Sequence, residues 1–322
     1  KQKTAYEIGV RLVGSEMCIR DRWIGVHKKQ FKRLGVIGDW ENYYSTMSFE
    51  AEAQIVRELG KFLLEGSLYR GFKPVLWSTV EKTALADAEV EYKDHTSNTI
   101  YTSFEIKKTD KNFLKGGHVI IWTTTPWTLA GNTALAISET EEYSVIQIDG
   151  SNGQERLILA SKLVSSAIRD DYQLISTIKG SDLVGSKYVP LYDPFKFNLE
   201  EFHMGRFDGG QLLRGLTEDT ALGSWQVYAA DFVSMDDGTG VVHIAPAFGD
   251  EDLNLGKERG LAFVQHVNLQ GNIVGSYSYA GKFVKDADGQ IINELQERGL
   301  LYHCLLYTSD AADDTPCVDL GG

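Results

Sequence analysis

Two stretches of this chain bring together residue types that can do chemistry. Residues 121–137 read IWTTTPWTLAGNTALAI. An apolar strand runs into Thr123, Thr124 and Thr125 and then Pro126, which has no N–H and cannot continue a ladder. Several hydroxyls and freed backbone N–H groups therefore converge where the chain turns, enough to hold a ribose, a phosphate or an ester. The plainer alternative is that threonine is simply a good strand residue.

The second stretch, residues 236–260, reads DDGTGVVHIAPAFGDEDLNLGKERG. Gly238 and Gly240 permit close backbone approach ahead of a strand, His243 projects from that strand, and Pro246 ends it. Asp250, Glu251 and Asp252 then open a helix. Acids at a helix start complement its dipole and cap its N–H groups. Alternatively, one of these carboxylates faces a cationic ligand group.

Several mechanisms lack their residues. The sequence contains no G-x-S-x-G elbow, no Walker A loop and no G-x-G-x-x-G. His27, His95, His118, His203, His243 and His266 stand singly, with no H-x-H or H-E-x-x-H spacing, so the expectation is no metal site. Any hydrolysis here is expected to proceed without a metal or a covalent nucleophile.

The elements that must carry these stretches are mostly strands. Residues 48–65 place Ile55, Leu59, Phe62 and Leu63 at helical spacing, with Ser48 as N-cap and Gly66 as stop. Beyond residue 74 the pattern turns to short β-rich runs at 75–78, 99–106, 118–124, 143–149, 156–160, 225–233 and 240–246. Helices are expected near 161–169, 249–259 and 288–299. Many short strands flanked by a helical segment predict a mixed α/β chain: a β-barrel-like domain inserted into an α/β protein.

The two ends fit no such pattern. EMCIRD near the start and CLLYTS near the end have no helical or strand period. They can be encoded by GAG ATG TGT ATA AGA GAC and TGT CTC TTA TAC ACA TCT, reverse complements over their shared part, and resemble the adapters of short-read DNA libraries. KQKTAYE and VDLGG likewise fit amplification primers. Residues 1–22 and 304–322 are therefore expected to be adapter-derived and are set apart from the fold.

That exclusion takes Cys18, Cys304 and Cys317, the chain's three cysteines, out of the remainder. Disulfides and thiolate chemistry then drop out. The formal charge of −13 becomes −11, because the excluded start carries five basic and three acidic residues and the excluded end four acidic ones. So acidic a surface does not suit binding long duplex nucleic acid, though a small local contact is compatible with it. No apolar run approaches the roughly 20 residues of a membrane span.

Taken together, YRGFKPVLWSTVEKTALADAEVEY at 69–92, WTTTPWTLAGNTALAI at 122–137 and DDGTGVVHIAPAFGDED at 236–252 resemble, in order and spacing, the bacterial-type isoleucyl-tRNA synthetases. The similarity lies in the editing insertion that splits their catalytic domain and covers nearly all of 23–303. Valyl and leucyl relatives typically carry T-T-R-P where this chain has Thr123–Pro126, and lack the V-H-x-A-P pattern of Val242–Pro246. The family usually has proline at the position of Ala130, so the loop here is less constrained.

The resemblance implies a domain plan: 23–88 as a partial Rossmann-type catalytic segment and linker, and 89–303 as an editing domain with its return linker. It implies hydrolysis of valine wrongly esterified to isoleucine tRNA, since a pocket that accepts isoleucine discriminates poorly against one methylene fewer. Asp252 would hold the α-ammonium of the valyl ester. Trp122 to Thr125 and Asn132 would hold the terminal adenosine and the ester and orient water, and His243 would wall the pocket against isoleucine. The implied partner is the acceptor end of isoleucine tRNA with its valine or isoleucine ester, met by a cytoplasmic monomer without a membrane. No cofactor is implied for this part; ATP with Mg, and zinc, belong to regions outside it. The competing reading is a module that binds the acceptor end and is inactive outside a full synthetase.

Overall fold

The computed structural model describes residues 21–310, except 70, 72, 91–93, 151 and 152. Of the ends set apart on sequence grounds, 1–20 and 311–322 lie outside the described residues. The chain divides into two compact units, Lys1–Arg70 and Gly71–Gly322.

The described part of the first unit contains two helices, α1 over residues 21–33 and α2 (Phe49–Leu64). Ser48 caps α2 as expected, its side chain accepting a hydrogen bond from the Ala51 N–H. Glu50 and Glu52 stand in the first turn and Lys61 in the last, matching the helix dipole. No residue of α2 is buried.

The second unit begins with a small hairpin, β1 (Trp77–Ser78) and β2 (Thr83–Ala84). There follow β3 (Asp94–Lys108), β4 (His118–Thr123), β5 (Ala134–Ile137), β6 (Glu142–Gly150), β7 (Gly153–Ala160), the short helix α3 (Val164–Ala167), β8 (Tyr172–Lys179) and β9 (Lys187–Tyr188). The remainder comprises β10 (Met204–Asp208), β11 (Gln211–Arg214), β12 (Val227–Ala229), β13 (Val241–Ile244), α4 (Asp250–Arg259), β14 (Ala262–Val264), α5 (Val284–Glu297) and β15 (Leu301–Asp310). Residues 71–88 belong with this unit, and Trp77 donates its indole N–H to the Leu269 carbonyl at 2.9 Å.

The largest sheet has seven strands: β15-β3-β4-β7-β6-β8 in order, with β9 on the far end of β3. Two three-stranded sheets, β12-β5-β13 and β11-β10-β14, pack beside it. The architecture is mixed α/β, as expected; among the described residues the sheet does not close on itself, and its six-strand path has β8 and β15 at its two ends. On β8, Tyr172, Leu174 and Ile175 are exposed.

β4 is buried on both faces. Val119 and Ile121 enter the main core with Ile100 and Phe104, whereas Ile120 packs on the opposite face with Tyr101, Leu157 and Leu159. The period of two along a strand thus separates neighbours. Thr123, opposite Ile100 in the ladder, lies on the main-core side, and Trp122, opposite Tyr101, lies on the other.

Of the stretch 304–322, which the sequence reading expects to be adapter-derived, residues 304–310 are described. Residues 304–310 continue β15 and pair antiparallel with β3 from Cys304↔Ile100 to Asp310↔Asp94. A ladder is made by backbone groups, so an edge strand can pair without the side-chain alternation that the sequence lacks.

Candidate functional site

The threonine run ends β4 and turns into a 3-10 segment, Pro126–Gly131, every residue of which is buried. Thr125 is its N-cap and Pro126 its first residue, so the missing proline N–H costs no helical bond. Thr123 Oγ1 accepts from the Thr125 N–H at 3.1 Å and lies 3.3 Å from Thr125 Oγ1. Thr125 Oγ1 is 3.4 Å from Thr128 Oγ1, and Thr128 donates to the Thr125 carbonyl at 2.8 Å. Thr124 is half-buried beside them.

Thr128 Oγ1 also lies 2.9 Å from His243 Nε2. A hydroxyl has one proton, and that of Thr128 goes to the Thr125 carbonyl, so Nε2 must carry the hydrogen of the second bond. His243 Nδ1 is then the bare nitrogen, buried without a partner. Burial lowers the His243 pKa to about 4, so the ring is neutral at physiological pH. It therefore adds no positive charge that would repel a cationic substrate group.

β13 brings the histidine to the threonines. It pairs antiparallel with β5, and His243 stands opposite Leu135, a residue of the main core, while Val242 and Ile244 stand opposite Ala136 and Ala134. Ala134, Ala136 and Ile244 share a separate cluster with Leu255 of α4. His243 thus faces the threonine turn, and its neighbours seat α4.

Asp252 occupies the first turn of α4 but does not cap it. Its Oδ2 reaches back to accept from the Ala245 N–H at 2.9 Å, two residues beyond His243. The N-cap is Gly249, without a side-chain hydrogen bond. Burial raises the Asp252 pKa to about 6, against the opposing effect of the Ala245 bond, and Glu251 adds a smaller upward push. Of the three acids at this helix start, Asp250 and Glu251 are exposed and only Asp252 is shielded. The result is a partly desolvated carboxylate without a cationic partner among its hydrogen bonds, suited to receiving an ammonium group.

Asn132 closes the 3-10 segment Pro126–Gly131 as its C-cap, its N–H donating to the Leu129 carbonyl. Asn132 is buried, its Nδ2 donating to the Ala134 carbonyl at 2.9 Å and its Oδ1 accepting from the Tyr188 hydroxyl at 2.6 Å. Its amide is occupied at both ends within the protein. Trp122 and Gly238 line a cleft of about 250 Å³ on the opposite side of the large sheet, with Tyr101, Ser166, Asp237 and Leu305. Gly238 has φ +71° and packs on the indole of Trp122, so a β-carbon there would come within 3.1 Å of the ring. Gly240, φ +69°, lies against Ala160 and Met235, and its carbonyl accepts from the Tyr143 hydroxyl at 2.7 Å.

The structure therefore assembles Thr123, Thr125 and His243, places Asp252 just beyond the histidine strand and Asn132 at the C-terminal end of the threonine segment, and sets Trp122 and Gly238 on the other face of the large sheet. Sequence reasoning did not single out Thr128, which joins the threonines to the histidine. Its signal is its place three residues after Thr125, one turn of a 3-10 segment.

Comparison with known proteins follows the same lines. The family model described as tRNA synthetases class I (I, L, M and V) matches residues 7–293. An isoleucine–tRNA ligase of Pelagibacter ubique is 46% identical over 285 residues, which is 86% of this chain and 29% of that protein. One from Aquifex pyrophilus is 38% identical over 289 residues, 88% of this chain and 51% of that protein. The chain thus spans about half or less of the length of these relatives. A solved leucyl-tRNA synthetase editing domain of P. falciparum covers 66% of this chain with all of its own length, at 11% identity and a TM-score of 0.42.

Proposed function

The chain belongs to the class I tRNA synthetases, and from that premise we propose that it is the editing part of an isoleucine-specific member, hydrolysing valine wrongly esterified to isoleucine tRNA. The observation that carries this reading is the Thr125–Thr128–His243 hydrogen-bonded cluster with the shielded Asp252 carboxylate at the end of the same strand.

The valyl ester offers a free α-ammonium, an ester carbonyl and a ribose hydroxyl. Asp252 takes the ammonium as a charge-assisted pair, which fixes the ester relative to the threonine hydroxyls. Thr123, Thr124 and Thr125 hold the ester and the sugar and orient the attacking water, so that catalysis rests on positioning and on polar groups set in advance. Neutral His243, tied to Thr128, forms a wall that admits valine and excludes the longer isoleucine side chain. Synthesis of the aminoacyl ester, with its ATP and metal requirements, is assigned to regions outside this chain.

Only the acceptor end of tRNA needs to enter, which reconciles the reading with a net charge of −13. Among the described residues, no helix is long and apolar enough to cross a membrane. We take the protein to work as a cytoplasmic monomer.

The test is the release of valine from valyl-tRNA(Ile) by the full chain, beside release of isoleucine from the correct ester, with Asp252→Ala and Thr128→Val as controls. Selective valine release lost in both variants supports the reading. A folded chain that binds the tRNA without releasing valine would be a binding module and would overturn it.

A further inference from the structure

His266 has no place in the chemistry above, yet it is fully buried and touches both segments that carry the site. Its Nε2 lies 2.8 Å from the carbonyl oxygen of Trp127, the residue immediately before Thr128. A carbonyl only accepts, so Nε2 is the protonated nitrogen and Nδ1 the bare one. Nδ1 is buried without a partner.

The ring also meets Phe248 edge-on, with centroids 5.1 Å apart, and Phe248 lies in the loop between His243 and Asp252. Phe248 in turn packs edge-on against the Trp127 indole at 5.1 Å. The three rings form a closed triangle, one corner on the threonine turn and one on the aspartate loop. The third corner is anchored independently: the Gln265 N–H donates to the His203 carbonyl, and the His266 carbonyl accepts from the Val274 N–H, both at 2.8 Å.

A phenylalanine or leucine would fill such an apolar site without leaving a buried nitrogen unpaired. What an imidazole adds is one donor aimed at one carbonyl of the turn. Burial also holds the ring neutral, with a pKa of about 4, so Nδ1 stays bare throughout the physiological range.

We propose that His266 is a positioning residue for the editing reaction, its Nε2–H holding the Trp127 carbonyl so that Thr128 stays in register with His243 and the Asp252 loop. The inference rests on the proposed editing function. It predicts that losing the donor impairs turnover rather than tRNA binding, because small displacements of positioned groups act on the chemical step.

The experiment compares His266→Leu, which keeps the bulk, with His266→Gln, whose terminal amide can supply a donor at similar reach. Both are made in the full chain and checked by circular dichroism. The expected result is a kcat for valine release about tenfold lower in the leucine variant, the scale of one hydrogen bond. KM should be little changed and most of the rate restored by glutamine. In the double variant with Thr128→Val, the leucine substitution should add nothing further, because both changes act on one element.

Equal turnover in a folded leucine variant, no recovery with glutamine, or a double variant showing the full product of the single losses would overturn the proposal. So would nitrogen NMR of the unaltered protein placing the ring proton on Nδ1, a readout that survives if the leucine variant does not fold. Absence of valine release by the unaltered chain would instead count against the editing function itself.

Discussion

Asp252 should cost the protein stability at the pH where it is useful. Its pKa rises from an ordinary 3.8 to about 6 on folding because burial disfavours the charged form. A folded-state pKa above the unfolded one gives stability that is fully present below about pH 4 and is lost as pH climbs towards 6. At roughly 1.4 kcal/mol for each tenfold in proton affinity, the displacement corresponds to about 3 kcal/mol, an upper figure because the side chain is only partly shielded. Asp252→Asn removes the titration, and the asparagine oxygen can still accept the Ala245 N–H.

Urea unfolding of both proteins between pH 4 and pH 8 should therefore show near equality at pH 4 and an asparagine variant more stable by up to about 3 kcal/mol at pH 7. The same variant should lose valine release at least tenfold, since a neutral amide cannot pair with the ammonium. In the unaltered protein, kcat/KM for valine release should fall as pH drops through about 6, reporting the free carboxyl. A stability difference independent of pH, or an asparagine variant less stable at pH 7, would refute the argument that the carboxylate is held at a desolvation cost.

Two further substitutions probe the frame around the site. Gly240→Ala places a β-carbon onto Ala160 at a backbone φ of +69°; the chain should lose about 2 kcal/mol or more in a thermal or urea melt, and unchanged stability would argue against the tight approach. Tyr188→Phe strips the partner from the buried Asn132 Oδ1. It should cost about 1–3 kcal/mol of stability, measured by urea unfolding, while the ratio of valine to isoleucine release stays unchanged if the Asn132 amide is structural.

Much of this molecule was legible in local pattern. The Ser48 cap, the strand ending in Thr123 and the helix opening at Asp250 all follow from short-range rules: a hydroxyl that caps, a proline that cannot pair, acids that suit a helix start. The composite of Thr123–Pro126 with Val242–Pro246 led to the family because such combinations are read from order alone. Helix α5 begins at Val284, four residues before the expected 288, because Gly289 and two aspartates mask its start in a propensity reading.

Other features needed the tertiary structure. Adjacent residues Trp122 and Thr123 face opposite sides of one strand, so a contiguous motif became two separate environments. Thr128 meets His243, which is 115 positions away, only because β13 pairs with β5 and not with another strand. The same is true of Tyr188 and Asn132, and of His266 and the Trp127 carbonyl. The sequence by itself determined which groups are available and where the chain must turn, since those depend on side-chain chemistry and backbone sterics. Which groups meet, which carboxylate is desolvated and which amide is already occupied were decided by strand register and packing, long-range matters that no local spacing encodes.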